Sequence, residues 1–281
     1  MMRTAAVELE PRYFDRMAAS IGDKSRALAW AWRPGTVLDI GAGGGELSLA
    51  LADYGLDVTA LDMADDAVRR LRAEPAISRV VQGHADQAPD LLPGLMFDTI
   101  ICSAVLHEVY SYGTSTGETG HTAVATTLRN LITLLRPDGR LIIRDGVMPD
   151  NPDGLATISA PVPETVERYL AISPHPELAL ERRGNTFHGT RHAVSEAAFT
   201  LTWGEETFAR EARERYELHT ADGYRAYGES LGLRLRHSSV VTQPGYIRAL
   251  NGHRICDSDG RGWFPPTNGL WVFENGAPRA H

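Results

Sequence analysis

Cysteine is scarce in this sequence. There are two in 281 residues, Cys102 in an apolar run and Cys256 far away in a polar stretch read as a loop. A disulfide framework is excluded as the source of the fold. No bridge between the two is expected, and a reducing cytoplasm is the compartment that suits such a chain. Long apolar runs are missing as well. None approaches the ~20 residues that cross a bilayer, and the opening stretch MMRTAAVELEPRYFDRM has no apolar segment of the secretory-signal kind. No membrane partner is expected. Positive charge is in deficit: 28 Lys and Arg stand against 36 Asp and Glu, a net charge of −8. Proteins that grip a phosphate backbone show a basic face. The best basic stretches here, Arg182-Arg183 and Arg234/Arg236/His237, make no long run. Nucleic acid is therefore not expected as a partner. Internal repeats are absent. What remains is a globular chain, 43% hydrophobic and 23% charged. Its length suits one elaborated α/β domain or a domain with an insertion.

The most informative stretch is residues 36–62, TVLDIGAGGGELSLALADYGLDVTALD. Thr36–Ile40 reads as a buried strand running straight into Gly41-Ala42-Gly43-Gly44-Gly45. Leu47, Ala50, Leu51 and Tyr54 then follow helical spacing. Gly55 breaks that pattern, and a second strand ends in Asp62. A βαβ unit with a glycine turn after its first strand and a carboxylate after its second is how an α/β sheet holds an adenosine-containing ligand. The dinucleotide fingerprint would place a third glycine at position 46 so that the helix start can face a pyrophosphate. Glu46 stands there instead and puts negative charge in that place. The turn suits a ligand without phosphates, a small zwitterion such as S-adenosylmethionine, with Asp62 accepting from its ribose hydroxyls. The alternative is a tight βα turn with no ligand.

Five motifs occur in order: VLDIGAGGG, Asp62, GHADQ (83–87), FDTIICSAVLHEV (97–109) and LLRPDGRLIIRDG (134–146). Together they resemble the class I S-adenosylmethionine-dependent methyltransferases, motif by motif over about residues 35–146 and more loosely beyond. The resemblance implies a Rossmann-like seven-stranded sheet of order 3-2-1-4-5-7-6, with N-terminal helices over the cofactor and an inserted helical cap. It divides the chain into cofactor-covering helices (1–34), an S-adenosylmethionine-binding α/β core (35–146), an inserted cap or substrate segment (147–220) and a completion of the sheet (221–281). It implies cofactor contacts from Asp39, Gly41, Ala42, Gly43, Gly45, Asp62, Met63, Asp86, Gln87 and Ser103, with Asp86 accepting from the adenine amino group. Arg16 or Lys24 is either a partner for the methionine carboxylate or an ordinary surface charge.

Ligands of open α/β sheets bind at the carboxyl ends of the strands, near the switch in strand order. That places His107, Glu108, Tyr110, Tyr112 and Asp145 near the reacting methyl. His107 is either the base that takes a proton from the acceptor or a histidine bonded to backbone. Glu108 sits beside the site or orients a cationic substrate. The expected activity is methyl transfer to oxygen or nitrogen of a small-molecule acceptor in the cytoplasm. The rivals are an enzyme using the same cofactor for cyclisation, elimination or aminocarboxypropyl transfer, and a non-catalytic adenosyl-binding module. Oligomeric state has no signal in the sequence.

The stretch 146–220 breaks the α/β rhythm and is proline-rich at first. Helical patterns at 163–172, 193–200 and 205–215 read as an insertion over the strand ends rather than a separate domain. Trp203-Gly204-Glu205-Glu206 with Tyr216 is either an aromatic and acidic wall for an acceptor or core packing. His188 and His192 have the i, i+4 spacing of a metal pair. Gly189 weakens a helix there and no third ligand is evident, so they read as solvated loop histidines and no metal is expected. Thr242–Asn268 is long for a loop.

Overall fold

The computed structural model describes residues 24, 27, 29–31 and 35–276. The expected helix at Tyr13–Ser20, and Arg16 within it, lie outside the described residues. Lys24, Ala27 and residues 29–31 are helical, as expected for Asp23–Trp32. The chain divides into two compact units. The first runs to Arg144 and adds Arg225–Ser238 and the segment from Leu270; the second is Asp145–Tyr224 with Ser239–Gly269.

The first unit is built on a seven-stranded sheet. Its elements in chain order are β1 (Thr36–Ile40), α1 (Glu46–Asp53), β2 (Asp57–Asp62), α2 (Asp65–Arg72), β3 (Arg79–Gln82), a short 3-10 turn (Ala85–Gln87), α3 (Ala88–Leu91), β4 (Phe97–Ser103), α4 (Leu106–Tyr112), α5 (Gly120–Ile132) and β5 (Leu135–Asp145). Further along, β9 (Leu233–Val241) and β11 (Asn268–Asn275) complete it, and the strand order is β3-β2-β1-β4-β5-β11-β9. That is the order 3-2-1-4-5-7-6. β1 pairs parallel with both β2 and β4, so the order reverses at β1 and β4. β1 can lie in the middle because Val37, Leu38 and Ile40 are buried and its one polar interior residue, Asp39, finds a partner in α1. Leu47 and Leu51 of α1 pack with Val37, Val58, Ile101 and Ile142 beneath.

Two boundaries differ from the sequence reading. The sequence spacing puts Leu135 on a helical stripe with Val124, Leu128 and Leu131 and a fifth strand at Arg140–Arg144, but Leu135 opens β5 in the structure. β5 also begins before the Pro137-Asp138-Gly139 turn, which the strand accommodates as an irregularity: Phe97 pairs with Leu135, and the register resumes at Thr99 with Arg140.

The second unit departs further from expectation. The inserted segment contains helices but is not only a helical cap. It has its own four-stranded sheet of order β10-β6-β8-β7, formed by β6 (Leu155–Ser159), β7 (Glu181–Arg183), β8 (Thr186–Thr190) and β10 (Arg254–Asp257). The pairings of β6 with β8, of β7 with β8 and of β10 with β6 are antiparallel. α6 (Pro163–Ile172), α7 (Arg191–Thr200) and α8 (Glu205–Glu211) accompany it. Ile158, Val166, Tyr169, Phe187, Val194, Ala197, Phe208 and Ile255 form its separate core. The stretch 242–268 is not a bare loop, since it carries a short helix α10 (Pro244–Ala249) and β10. Cys256 is accordingly not a loop residue. It is buried in β10 opposite Thr157, and Cys102 and Cys256 are both buried and not joined in a disulfide. α9 (Ala221–Ser230) leads back to β9.

Candidate functional site

The turn after β1 is a left-handed excursion that few residues other than glycine tolerate. Gly41, Gly43 and Gly45 have φ of +66°, +56° and +90°. A Cβ on Gly41 would fall 2.5 Å from Cγ2 of Val105, so the turn lies directly against the chain leaving β4. A Cβ on Gly43 would meet nothing closer than a backbone oxygen at 3.9 Å, which leaves room for a ligand to approach the backbone. The turn is fixed from the neighbouring strand. Asp62 accepts the Gly43 N–H at 2.8 Å through one carboxylate oxygen and the Ala64 N–H at 2.8 Å through the other. Gly41 and Ala42 also donate to the Leu61 carbonyl, at 2.8 and 3.2 Å. Asp62 thus ties the glycine turn to β2.

Asp39 lies under the turn rather than on it, with 1% of its surface exposed. Its carboxylate accepts from Ser48 Oγ at 2.7 Å. Burial raises its pKa from 3.8 to about 6, against the lowering effects of Ser48 and Lys24. Lys24 is the one lysine of the sequence and is buried, with Nζ 3.7 Å from a Glu46 carboxylate oxygen. Burial lowers its pKa, and Glu46 acts in the opposite sense. Lys24 is thus not a surface charge; it offsets the acidic start of α1.

The raised Asp39 pKa has a direct consequence. A carboxyl that ionises less readily in the fold than in the unfolded chain costs stability as pH rises through its folded pKa. Asp39→Asn should therefore gain stability on wild type between pH 4 and pH 7, by on the order of 3 kcal/mol at most, seen as a widening difference in melting temperature. A constant difference across that range would show that Asp39 is not the group.

Asp86 is buried and accepts from Ser115, from N at 3.0 Å and from Oγ at 2.5 Å. Asn130 Nδ2 donates to the Asp86 carbonyl at 2.7 Å. The glycine- and threonine-rich stretch 113–120, between α4 and α5, is thereby tied to the turn that follows β3. The Gln87 carboxamide caps its own turn by accepting from the His84 N–H at 3.2 Å. Ala42 is buried, and Met63 is exposed beside Asp62.

At the end of β4, Ser103 Oγ is buried without a hydrogen-bond partner. The next residue, Ala104, has φ of +56°, a left-handed conformation that costs a non-glycine residue about 1 kcal/mol or more. Its N–H donates to the Arg144 carbonyl at 2.6 Å. Strain and an unsatisfied hydroxyl therefore meet where the strand order reverses, which is where such sheets bind ligands. α4 starts immediately afterwards. His107 is buried in its first turn, and Ser111 Oγ donates to the His107 carbonyl at 2.8 Å. Glu108 is half-buried, Tyr112 exposed, and the Tyr110 ring meets His121 edge-on at 5.1 Å.

In the second unit, Asp145 is buried and its Oδ1 accepts the Gly146 N–H at 2.9 Å. Tyr216 is a core residue: its hydroxyl donates to Glu211, and its ring meets Phe199 edge-on at 6.0 Å. Glu205 pairs with Arg168 at the surface. The packing alternative is the one that Tyr216 follows. Nor are the two histidines solvated in a loop, since His188 is half-buried on β8 and His192 is buried at the start of α7.

Sequence reasoning missed Ser115, Asn130 and Ser48 as the groups that hold Asp86 and Asp39. Ser115 lies 29 residues from its partner in a loop without periodicity. Ser48 sits nine residues on, and a polar residue among Leu47, Leu49 and Leu51 was the available signal.

A family model described as "Methyltransferase domain" matches residues 13–237. A ubiquinone biosynthesis O-methyltransferase of Aeromonas salmonicida is 34% identical over 115 residues, covering 38% of this chain and 41% of the relative. An uncharacterized methyltransferase of Staphylococcus carnosus is 36% identical over 111 residues, covering 40% and 47%. The chain thus spans less than half the length of these curated relatives. Among solved structures, a putative methyltransferase from Bacillus halodurans superposes with TM-score 0.51 at 13% identity, covering 92% of this chain and 100% of that one. A SAM-dependent methyltransferase from Archaeoglobus fulgidus gives 0.50 at 13%, covering 92% and 93%. At such identity these two matches speak for the fold.

Proposed function

The chain belongs to the methyltransferase-domain family, and from that premise we propose that it transfers the methyl group of S-adenosylmethionine to oxygen or nitrogen of a small molecule. The observation that carries this reading is the glycine turn held by Asp62. It leaves an open approach at Gly43 and lies against the chain leaving β4. The residues present fit the donor. Asp62 at the end of β2 supplies a carboxylate for ribose hydroxyls, and Asp86, held by Ser115, one for an adenine amino group. Ser103 Oγ is a buried hydroxyl in want of a partner. Gly41, Ala42, Gly43 and Gly45 supply backbone for the amino-acid end. Met63 is an exposed apolar side chain to lie against the adenosine. Asp39 and Gln87 act one step back by fixing their own turns. Glu46 at the α1 start argues against a pyrophosphate in the same place.

When bound, the donor supplies a methyl carbon activated by a sulfonium and leaves as a neutral thioether. The protein's task is then alignment and proton removal. His107 takes the proton from the acceptor's O–H or N–H as that atom forms its bond to carbon. Glu108, Tyr110 and Asp145 orient the acceptor. An oxygen acceptor has the further support that curated relatives carry O-methyltransferase activity in their names. The net charge of −8 supports a small molecule over a nucleic acid. Among the described residues no helix is long and apolar enough to cross a membrane, and the cytoplasm is the compartment we assign. Acceptor selectivity is assigned to the second unit, because the donor groups named above lie in the first.

The test is product mass. Incubated with S-adenosylmethionine and a panel of phenols, carboxylates and amines, the protein should yield a methylated product and S-adenosylhomocysteine in equal amounts. A cyclised or eliminated cofactor product, or an aminocarboxypropyl adduct, would replace this reading with the corresponding rival.

A further inference from the structure

α7 is a helix with no solvent face. Every residue from His192 to Thr200 is buried. Three of them, His192, Ser195 and Glu196, carry strongly polar side chains, and a buried polar group without a partner is costly. Each oxygen of Glu196 accepts one backbone N–H, Oε2 that of Tyr216 at 3.1 Å and Oε1 that of Glu217 at 2.8 Å, and a carboxylate oxygen keeps a second lone pair. Ser195 Oγ donates to Oε1 of Glu217 at 2.5 Å. Two atoms are left over. Nε2 of His192 and Oε2 of Glu217 are both buried without a hydrogen-bond partner, on residues 9% and 0% exposed.

These orphans face each other. His192 Nε2 lies 3.5 Å from Glu196 Oε1 and 3.7 Å from Glu217 Oε2. The three residues each offer a ligand atom within 4.8 Å of the others. The two N···O separations are too long for hydrogen bonds. The shorter reaches the edge of a coordination tetrahedron, roughly 3.3–3.5 Å for bonds of about 2.0–2.1 Å, and the longer exceeds it by about 0.2 Å, a gap that a small side-chain shift on ion binding closes. Charge points the same way. Two buried carboxylates share one guanidinium, Arg215, whose Nε is 3.9 Å from Glu196 Oε1 and which also pairs with Glu177. Positive charge is in short supply, and either protons or one divalent ion can provide it.

We propose that His192, Glu196 and Glu217 bind one divalent transition-metal ion of the zinc class. The site ties α7 to the irregular buried segment 214–218. One imidazole and two carboxylates form a donor set for such an ion, with a fourth position left for water. His192 is a ligand with Glu196 four residues on rather than with His188 four residues back. The third ligand comes from a segment 21 residues away from Glu196.

The test uses the full chain, stripped with a chelator and titrated with zinc and, separately, with cobalt. The site predicts uptake of about one ion per chain, a rise in melting temperature with zinc, and visible cobalt absorption in place of a featureless spectrum. Glu217→Gln keeps an oxygen for Ser195 but removes the charge, and His192→Gln removes the nitrogen. Each should reduce uptake to below about 0.1 ion per chain and abolish the zinc-dependent melting shift. Folded wild type that takes up no stoichiometric ion would overturn the site, whatever the variants do, and would leave protons as the balancing charge. Undiminished uptake by both variants would overturn it equally. None of the three readouts depends on S-adenosylmethionine, so failure here leaves the methyl-transfer reading standing.

Discussion

His107→Ala is expected to lower turnover by about 10²–10⁴ while donor affinity stays within a few-fold of wild type. His107 occupies the first turn of α4, reached through Ser103 and the left-handed Ala104 at the end of β4. That geometry places an imidazole-bearing turn at the switch point, on a different element from the glycine turn that Asp62 holds. Removing the ring should therefore affect proton removal and spare donor binding. The rate of wild type should depend on a group that titrates in the neutral range, and the variant should lose that dependence. Two controls separate a base from a packing role. His107→Gln keeps much of the volume and should be as slow as the alanine variant. Acceptors that arrive already ionised should recover most of the rate. Wild-type turnover in a folded alanine variant would make His107 structural and the reaction one of alignment alone.

Asp62→Ala should weaken S-adenosylmethionine by about 1.5–3 kcal/mol, roughly 10- to 150-fold. The structure adds a second reason for that loss. Asp62 is bound to two backbone N–H groups, one of them in the glycine turn, so the alanine variant loses both the ribose acceptor and the clamp on Gly43. Asp62→Asn keeps one acceptor oxygen and should fall between wild type and alanine. Alanine and asparagine variants that are folded and bind like wild type would remove Asp62 from the donor site.

The first unit was legible because its signals are local. Thr36–Ile40, the glycines after it and Asp62 lie within one βαβ unit, and the turn's φ values are those that glycine provides for. The resemblance of five ordered motifs supplied the strand order. The details around it were less legible. Asp39 looks like a ligand residue in the motif, yet it faces Ser48 below the turn. Asp86 looks like a free acceptor, yet Ser115 already occupies part of it.

The second unit was largely hidden, for physical reasons. Its strands are three to five residues long. One of them reads Glu-Arg-Arg, with no apolar alternation to mark it. Its sheet is closed by long-range pairing: Arg254 lies opposite Ser159 and Cys256 opposite Thr157. No local pattern announces a partner about a hundred residues away, so 242–268 read as a loop. α7 misleads in another way, because a helix buried on all sides carries polar residues that sequence reading assigns to a solvent face. His192 read as a solvated loop histidine because Gly189 breaks the helical pattern just before it and no third ligand lies nearby in sequence; its partner Glu217 sits in a segment with no regular structure.

The most direct test of the account is calorimetric titration of S-adenosylhomocysteine into the wild-type chain, repeated with Asp62→Ala and in the presence of NAD. The account predicts one saturable site, weakened roughly 10- to 150-fold by the substitution and untouched by NAD. No binding to folded wild type, or displacement by NAD, would contradict it.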